Sequence, residues 1–368
     1  MRGSLRGLVH RAKATRRARL DLRLPDYAGA RPRLVLHPGT HKTGTTSIQH
    51  FLASNRPAVR KAGMTYPMTR PWEAHHELPA AYMERHLLLP ASMLDTDPRP
   101  VWAQWCRDAG PTGHMLLSSE AFWELLTYMP DSFGRVVELM GATHDIHVIY
   151  LVREPHSKAW SALRHLSREG LRFDPEQTYS SDLELTLRTE RSLGDYFEPA
   201  QLTRVDFTGG DAVGLFLDHL LEHLPATDDP LVGDGGRALS AAYDKERHGG
   251  GVRANVAPDE PTAAAITFAV TLGLWQEPGL AASDRDLPKL YEEILVSPSV
   301  PLPADLPDDR TLHARLRAGE ALITADEAKA VHGWLTDPAL AAAAGTAHQD
   351  ALKRCVAAVA HLLPTPVA

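Results

Sequence analysis

Eleven consecutive residues, His37-Pro38-Gly39-Thr40-His41-Lys42-Thr43-Gly44-Thr45-Thr46-Ser47, set two glycines, a lysine and five hydroxyls between an apolar run and a helix-forming stretch. Such a set can grip an anion. A turn bounded by glycine and opening directly into a helix aims several backbone N–H groups, with the roughly half-unit positive charge of the helix start, at one point. Arg33 to Leu36 supplies the preceding strand, and Thr45 to Ala53 supplies helical spacing, with Ile48, Phe51 and Leu52 able to share a buried face.

The lysine position bears on which anion is held. In the nucleotide-triphosphatase form G-x-x-x-x-G-K-[ST] the lysine follows the second glycine and precedes the hydroxyl that holds magnesium. Here Gly39 and Gly44 keep the spacing, but Thr45 follows the second glycine and the lysine stands before it, at Lys42. A lysine inside the loop, with Thr43, Thr45 and Thr46 after it, can hold a terminal phosphate and its attached group without a metal bridge. His41 flanks the same loop. A second segment fits the same ligand class. His144 to Val152 ends in an almost continuous apolar run suited to a central parallel strand, and Arg153 stands at its end. A nucleotide triphosphatase would carry an acid for magnesium there, whereas an arginine seeks an anion. Glu154-Pro155 begins a new helix, with proline acceptable in its first turn, and Ser161 lies on it.

The run Lys42-Thr43-Gly44-Thr45-Thr46 resembles the 5'-phosphosulfate loop of sulfotransferases that use 3'-phosphoadenylyl sulfate (PAPS), in particular their glycan-type and bacterial members. The spacing of Arg153 and Ser161 is similar to that of the pair which, in those enzymes, binds the 3'-phosphate. The resemblance covers roughly residues 1 to 225 and implies a cofactor site of Thr40, His41, Lys42, Thr43, Gly44, Thr45, Thr46, Arg153 and Ser161. It implies sulfuryl transfer to a hydroxyl of a glycan or small metabolite, with Lys42 neutralising charge on the leaving 5'-phosphate and no metal required. A late Arg-Lys-Gly loop of the cytosolic members has only a loose echo here, Arg247-His248-Gly249-Gly250-Gly251-Val252-Arg253, with histidine in place of lysine. The alternatives are a small-molecule kinase with a phosphate-binding loop and a nucleotide-binding regulatory protein without catalysis.

The acceptor hydroxyl needs a base. His75 and His76 follow an expected short strand, near where related enzymes place a catalytic histidine or glutamate, and histidine titrates near neutrality. Glu120 follows Ser118-Ser119 at another strand end, where burial would raise its pKa. The sequence leaves this choice among His75, His76 and Glu120 open.

These residues call for an α/β fold: a three-layer, P-loop-type parallel sheet flanked by helices, with ligand at the carboxyl ends of the strands, and a helical C-terminal extension. Strands are expected at Arg33 to Leu36, Gly63 to Pro67, His114 to Ser118, His144 to Val152 and Gln201 to Phe207. Helices are expected between them, including one from His75 through Leu89 and one from Asp211 to Leu224. The organisation reads as a basic arm over 1–30, a cofactor-binding core over 31–225 and a mainly helical extension over 226–368, with loops at Asp228 to Gly236 and His248 to Pro261.

With 368 residues, 43% hydrophobic and 23% charged, the chain can bury a full core. A net charge of −7 argues against a nucleic-acid partner. Eight basic residues of the first thirty, opposed by Asp21 and Asp26, read as a solvated leader, with weak contact to an anionic membrane surface as the other reading. Cys106 and Cys355 fit no metal spacing and read as reduced core thiols. No spanning helix and no secretion signal are expected, which together with a cofactor made from ATP suggests a cytoplasmic location.

Overall fold

The computed structural model describes residues 27, 31–40, 42–69, 73–86, 89–168, 173–225, 235–248, 261–276, 301–343 and 345–363. These divide into two compact units, Met1–Glu154 with Leu187–Asn255, and Pro155–Thr186 with Val256–Ala368. In the first unit four strands, β1 (Arg33–His37), β2 (Met115–Ser118), β3 (Asp145–Val152) and β4 (Leu202–Asp206), form a sheet in the order β2-β1-β3-β4. Every pairing is parallel, with Leu36 opposite Leu117 on one side and Val148 on the other. The chain leaves β1 toward β2 and leaves β3 toward β4, in opposite directions. The crevice where ligands settle in open α/β sheets lies at such a divergence, here between the carboxyl ends of β1 and β3.

Alternation along the strands explains the layers. Val35, Leu116, Ile149 and Leu151 pack with Ile48, Phe51 and Leu52 of α1 (Thr45–Ser54) and with Val213, Phe216 and Leu217 of a later helix, Ala212–Glu222. Leu34, Leu36, Met115, Leu117, Val148 and Tyr150 face the other way, toward Trp102 and Trp105 of the helix Arg99–Asp108, Phe122 and Leu125 of Glu120–Tyr128, and Phe133 of Pro130–Gly141. Successive strand residues thus serve opposite cores, so nearly every position must be apolar. Numbered in chain order, the helices of this unit are α1, α2 (Arg56–Lys61), α3 (Glu77–Ala80), α4 (Arg99–Asp108), α5 (Glu120–Tyr128), α6 (Pro130–Gly141), then, after the boundary helices given below, α9 (Ala212–Glu222) and α10 (Gly235–His248).

The second unit holds α7 (Pro155–Arg168), the first part of α8 (Pro175–Ser192), α11 (Pro261–Gln276), α12 (Asp309–Ala318), α13 (Ala325–Leu335), α14 (Pro338–Ala343) and α15 (Gly345–Ala360). Trp160, Leu163, Phe268, Leu312, Val331, Leu352 and Val359 share its core. At Gly273 of α11 an added Cβ would lie 2.0 Å from the Ala358 carbonyl oxygen of α15, so the missing side chain is what lets these two helices meet.

Several expectations change. The helical C-terminal unit does not begin at 226; it recruits the helices of 155–186 from within the expected core, because their apolar faces pack with 265–274 and 306–359. The expected strand Gly63 to Pro67 reduces to one bridge, Thr65 with Met115, made by Thr65 N donating to His114 O and Leu116 N to Thr65 O. The expected helix from His75 through Leu89 shortens to α3, because the chain turns at Ala81 and its carbonyls there accept instead from Asp95 and Thr96. Arg247 and His248 end α10 rather than forming a loop, while 249–253 and all of the basic arm but residue 27 lie outside the described residues. Among the described residues no helix is long and apolar enough to cross a membrane.

Candidate functional site

The loop between β1 and α1 owes its shape to backbone conformations that most side chains avoid. Gly39, Lys42 and Gly44 have φ of 63°, 64° and 79°, all left-handed. For lysine this conformation costs about 1–2 kcal/mol, and it persists only where the surroundings hold it. Those surroundings are three buried hydroxyls. The Thr43 hydroxyl donates to the Thr40 carbonyl at 2.7 Å, and the Thr45 hydroxyl donates to the same oxygen at 3.1 Å. The Thr40 hydroxyl donates to the Leu151 carbonyl near the end of β3, tying the loop across the β1–β3 crevice. Thr40, Thr43 and Thr45 therefore brace the loop with their side chains, and Thr46 is exposed in the first turn of α1.

Both glycines are needed for space as well as for φ. A Cβ on Gly44 would lie 2.3 Å from the Ala212 Cβ at the start of α9, and one on Gly39 would lie 2.7 Å from Thr45 Cγ2 and 3.0 Å from the Glu120 nitrogen. Gly44 is also the residue before α1 and offers no capping side chain, and the first turn holds no acidic residue. Ser47 N and Ile48 N bond back to Gly44 O. The N–H groups of Thr45 and Thr46 precede any intrahelical acceptor, so the helix start presents donors and positive potential to an anion.

A second wall comes from the end of β2. Ser119 N donates to His37 O at 3.1 Å and Trp123 N to Pro38 O at 3.3 Å, fastening α5 to the loop. Ser119 caps α5, its hydroxyl oxygen accepting from Ala121 N at 3.1 Å. Glu120, half-buried, accepts from the Gln49 side-chain amide of α1 at 2.8 Å. His76 Nδ1 lies 2.8 Å from the Ser119 hydroxyl. Burial lowers the His76 pKa, against the pull of the Glu120 and Glu124 carboxylates, which favour the charged ring; the nearby His86 imidazole adds to the lowering. His86 in turn bonds Glu124 at 2.5 Å.

His75, one of the three candidates for the base, has a different place. It is fully buried; Ser118 N donates to its Nδ1 at 3.1 Å, and its Nε2 bonds Pro67 O at 3.1 Å. Burial holds its pKa down at about 3. With both nitrogens engaged by the backbone, His75 joins the 67–75 segment to β2 and has no nitrogen left for an acceptor. Glu120 and His76 stand beside the loop.

Arg153, half-buried, directly follows β3, two residues beyond the Leu151 carbonyl that Thr40 grips. Ser161, also half-buried, stands on α7 in the second unit. Lys42 is half-buried within the braced loop, and His41 lies outside the described residues. Among the described residues no group of three or more histidine, cysteine, aspartate or glutamate side chains could hold a metal ion.

The sequence reasoning missed Gln49, Ser119, Ser118 and His37. Ser119 was open to recognition as an N-cap before Glu120. Gln49 gave no signal, because only the packing of α1 beside the start of α5 brings it to Glu120. His37, fully buried at the end of β1, bonds the Ser118 hydroxyl through Nδ1 at 2.8 Å, its ring lies against Phe216, and burial lowers its pKa to about 3. Comparison of the chain with protein-family models, with curated proteins and with solved structures finds no match.

Proposed function

We propose that this protein is a PAPS-dependent sulfotransferase with a P-loop-type cofactor site, moving a sulfuryl group from 3'-phosphoadenylyl sulfate to a hydroxyl of a glycan or small metabolite. The products are adenosine 3',5'-bisphosphate and a sulfate ester. One observation carries the reading: a loop with left-handed Gly39, Lys42 and Gly44 opens into an uncapped helix start at the β1–β3 crevice, with Arg153 at the neighbouring strand end. In this reading the backbone donors of the loop, the Thr46 hydroxyl and Lys42 receive the 5'-phosphosulfate. Arg153 makes the charge-assisted contact to the 3'-phosphate.

The acceptor oxygen attacks sulfur in line, the bond from sulfur to the bridging oxygen breaks, and its electron pair stays on the 5'-phosphate. Lys42 neutralises that charge as it develops. The acceptor proton passes to a base beside the loop, for which the positions of Glu120 and His76 speak and that of His75 does not. The lysine before the second glycine argues against the kinase reading, and a cofactor made from ATP favours a cytoplasmic location.

Thermal unfolding with ligands tests the proposal. Adenosine 3',5'-bisphosphate at a hundred times its Kd should stabilise the fold by about 2.7 kcal/mol. Stabilisation by ATP with magnesium and none by the bisphosphate would refute it. Lys42→Ala should lower sulfuryl transfer by about a hundred- to a thousandfold. Arg153→Ala should weaken the bisphosphate by about ten- to a hundredfold and leave adenosine 5'-phosphate unaffected.

A further inference from the structure

Two candidate bases stand beside the loop, and their hydrogen bonds distinguish them. The Ser119 hydroxyl is fully buried and its oxygen already accepts from Ala121 N. Its own proton needs an acceptor, and among the described residues the one within reach is His76 Nδ1, at 2.8 Å. A ring that accepts at Nδ1 carries its neutral-state proton on Nε2. In that tautomer His76 offers a donor rather than a lone pair.

Glu120 is arranged the opposite way. Gln49 is buried on α1, one helical turn after Thr45, and its amide donates to Glu120 Oε2 at 2.8 Å. No described residue bonds Oε1, and Oε1 is not among the buried polar atoms without a partner, so it is open to water. The Glu120 backbone meanwhile lies against Gly39 of the loop.

We infer that Gln49 is a positioning residue for the proton-accepting carboxylate: it holds Glu120 by Oε2 so that Oε1 takes the proton of the acceptor hydroxyl, while His76 serves as a hydrogen-bond donor. This rests on the sulfuryl-transfer reading. As the acceptor oxygen forms its bond to sulfur, its proton moves to Oε1. The electron pair of the breaking S–O bond leaves with the phosphate, and the proton later passes from Glu120 to water. The charged and titratable groups around Glu120 are Tyr66 from the segment paired to β2, with Arg56 and Glu73 acting on it, His76 before α3, with His86 acting on it, and Glu124 on α5 itself. Their charges are the same in wild type and in a Gln49 variant, so the amide contact can be isolated.

An amide donating to one carboxylate oxygen fixes the carboxylate plane and so aims the other oxygen, and removing the amide frees the group to rotate. Gln49→Met keeps length and burial and cannot donate. Turnover, read as release of adenosine 3',5'-bisphosphate from 3'-phosphoadenylyl sulfate with a panel of monosaccharide acceptors, should fall by about tenfold in Gln49→Met with KM for both substrates unchanged. Thermal stabilisation by the bisphosphate should stay unchanged. Glu120→Gln should lower turnover by about a hundredfold or more, and Gln49→Met should cost nothing further in that background, whereas in His76→Gln the effect of Gln49→Met should persist. Full turnover in Gln49→Met, a further loss of about tenfold from Gln49→Met in the Glu120→Gln background, or a loss of about a hundredfold in His76→Gln with Glu120→Gln still active, would overturn the inference. A wild-type protein neither stabilised by the bisphosphate nor active would instead refute the sulfotransferase reading on which it rests.

Discussion

Acid should loosen the first unit in part through two fully buried histidines, His37 at the end of β1 and His75 bonded to the end of β2. His37 and His75 are fully buried, and each has a pKa of about 3 against an ordinary 6.5, with burial as the leading cause. Their folded values lie below the unfolded one, so the stability they contribute is fully present above pH 6.5 and drains away as pH falls toward 3. Between pH 7 and pH 5 the unfolded imidazole takes up about three-quarters of a proton while the buried one stays neutral. Linkage converts this to about 2 kcal/mol per histidine, or about 4 kcal/mol for the pair. Against typical domain stabilities of about 5–15 kcal/mol that is a large share. His37→Asn removes one titration and retains a partner for the Ser118 hydroxyl. Urea unfolding would be followed by pulsed hydrogen exchange in peptides covering 145–152, so that the sheet of this unit alone is read. The slope of stability between pH 7 and 5 should be shallower in His37→Asn by about 2 kcal/mol over the interval. An unchanged slope, with a folded variant, would refute the claim that His37 is held neutral.

Gly44→Ala combines an unfavourable positive φ with a clash against Ala212, so it should destabilise the first unit by about 2–4 kcal/mol and abolish binding of adenosine 3',5'-bisphosphate; calorimetric titration and urea midpoints check both effects. Thr40→Val loses the bond to the Leu151 carbonyl and leaves that buried oxygen unpaired. It should lower stability by about 1–3 kcal/mol and weaken the bisphosphate, measured by the same two assays. Gly273→Ala should act on the second unit, where the new Cβ would meet the Ala358 backbone. Exchange should rise in peptides covering 345–360 and stay constant in 145–152, and a uniform rise would contradict the division into units.

Local chemistry made part of this molecule readable in advance. The strand before Gly39, the helix after Gly44 and the apolar run ending at Val152 announced themselves, because a parallel strand buried on both faces tolerates little but apolar residues. The α/β class followed from their alternation. Gly63 to Pro67 has strand-like composition, yet it makes a single bridge, since bridging depends on how β2 lies beside it. The break at Glu154 was equally hidden: whether a helix sides with a sheet or with later helices depends on which apolar surface it meets.

The candidate site divides along the same line. Residue type and spacing alone single out Gly39, Lys42, Gly44 and Arg153 as candidates for holding an anion, because backbone freedom and fixed charge are properties each residue brings with it. Contacts between distant segments decided the rest: that the Thr40, Thr43 and Thr45 hydroxyls turn inward, that His75 is consumed by backbone bonds, and that Gln49 grips Glu120. A side chain's partner is set by which elements pack together, and that information exists only once the chain has folded.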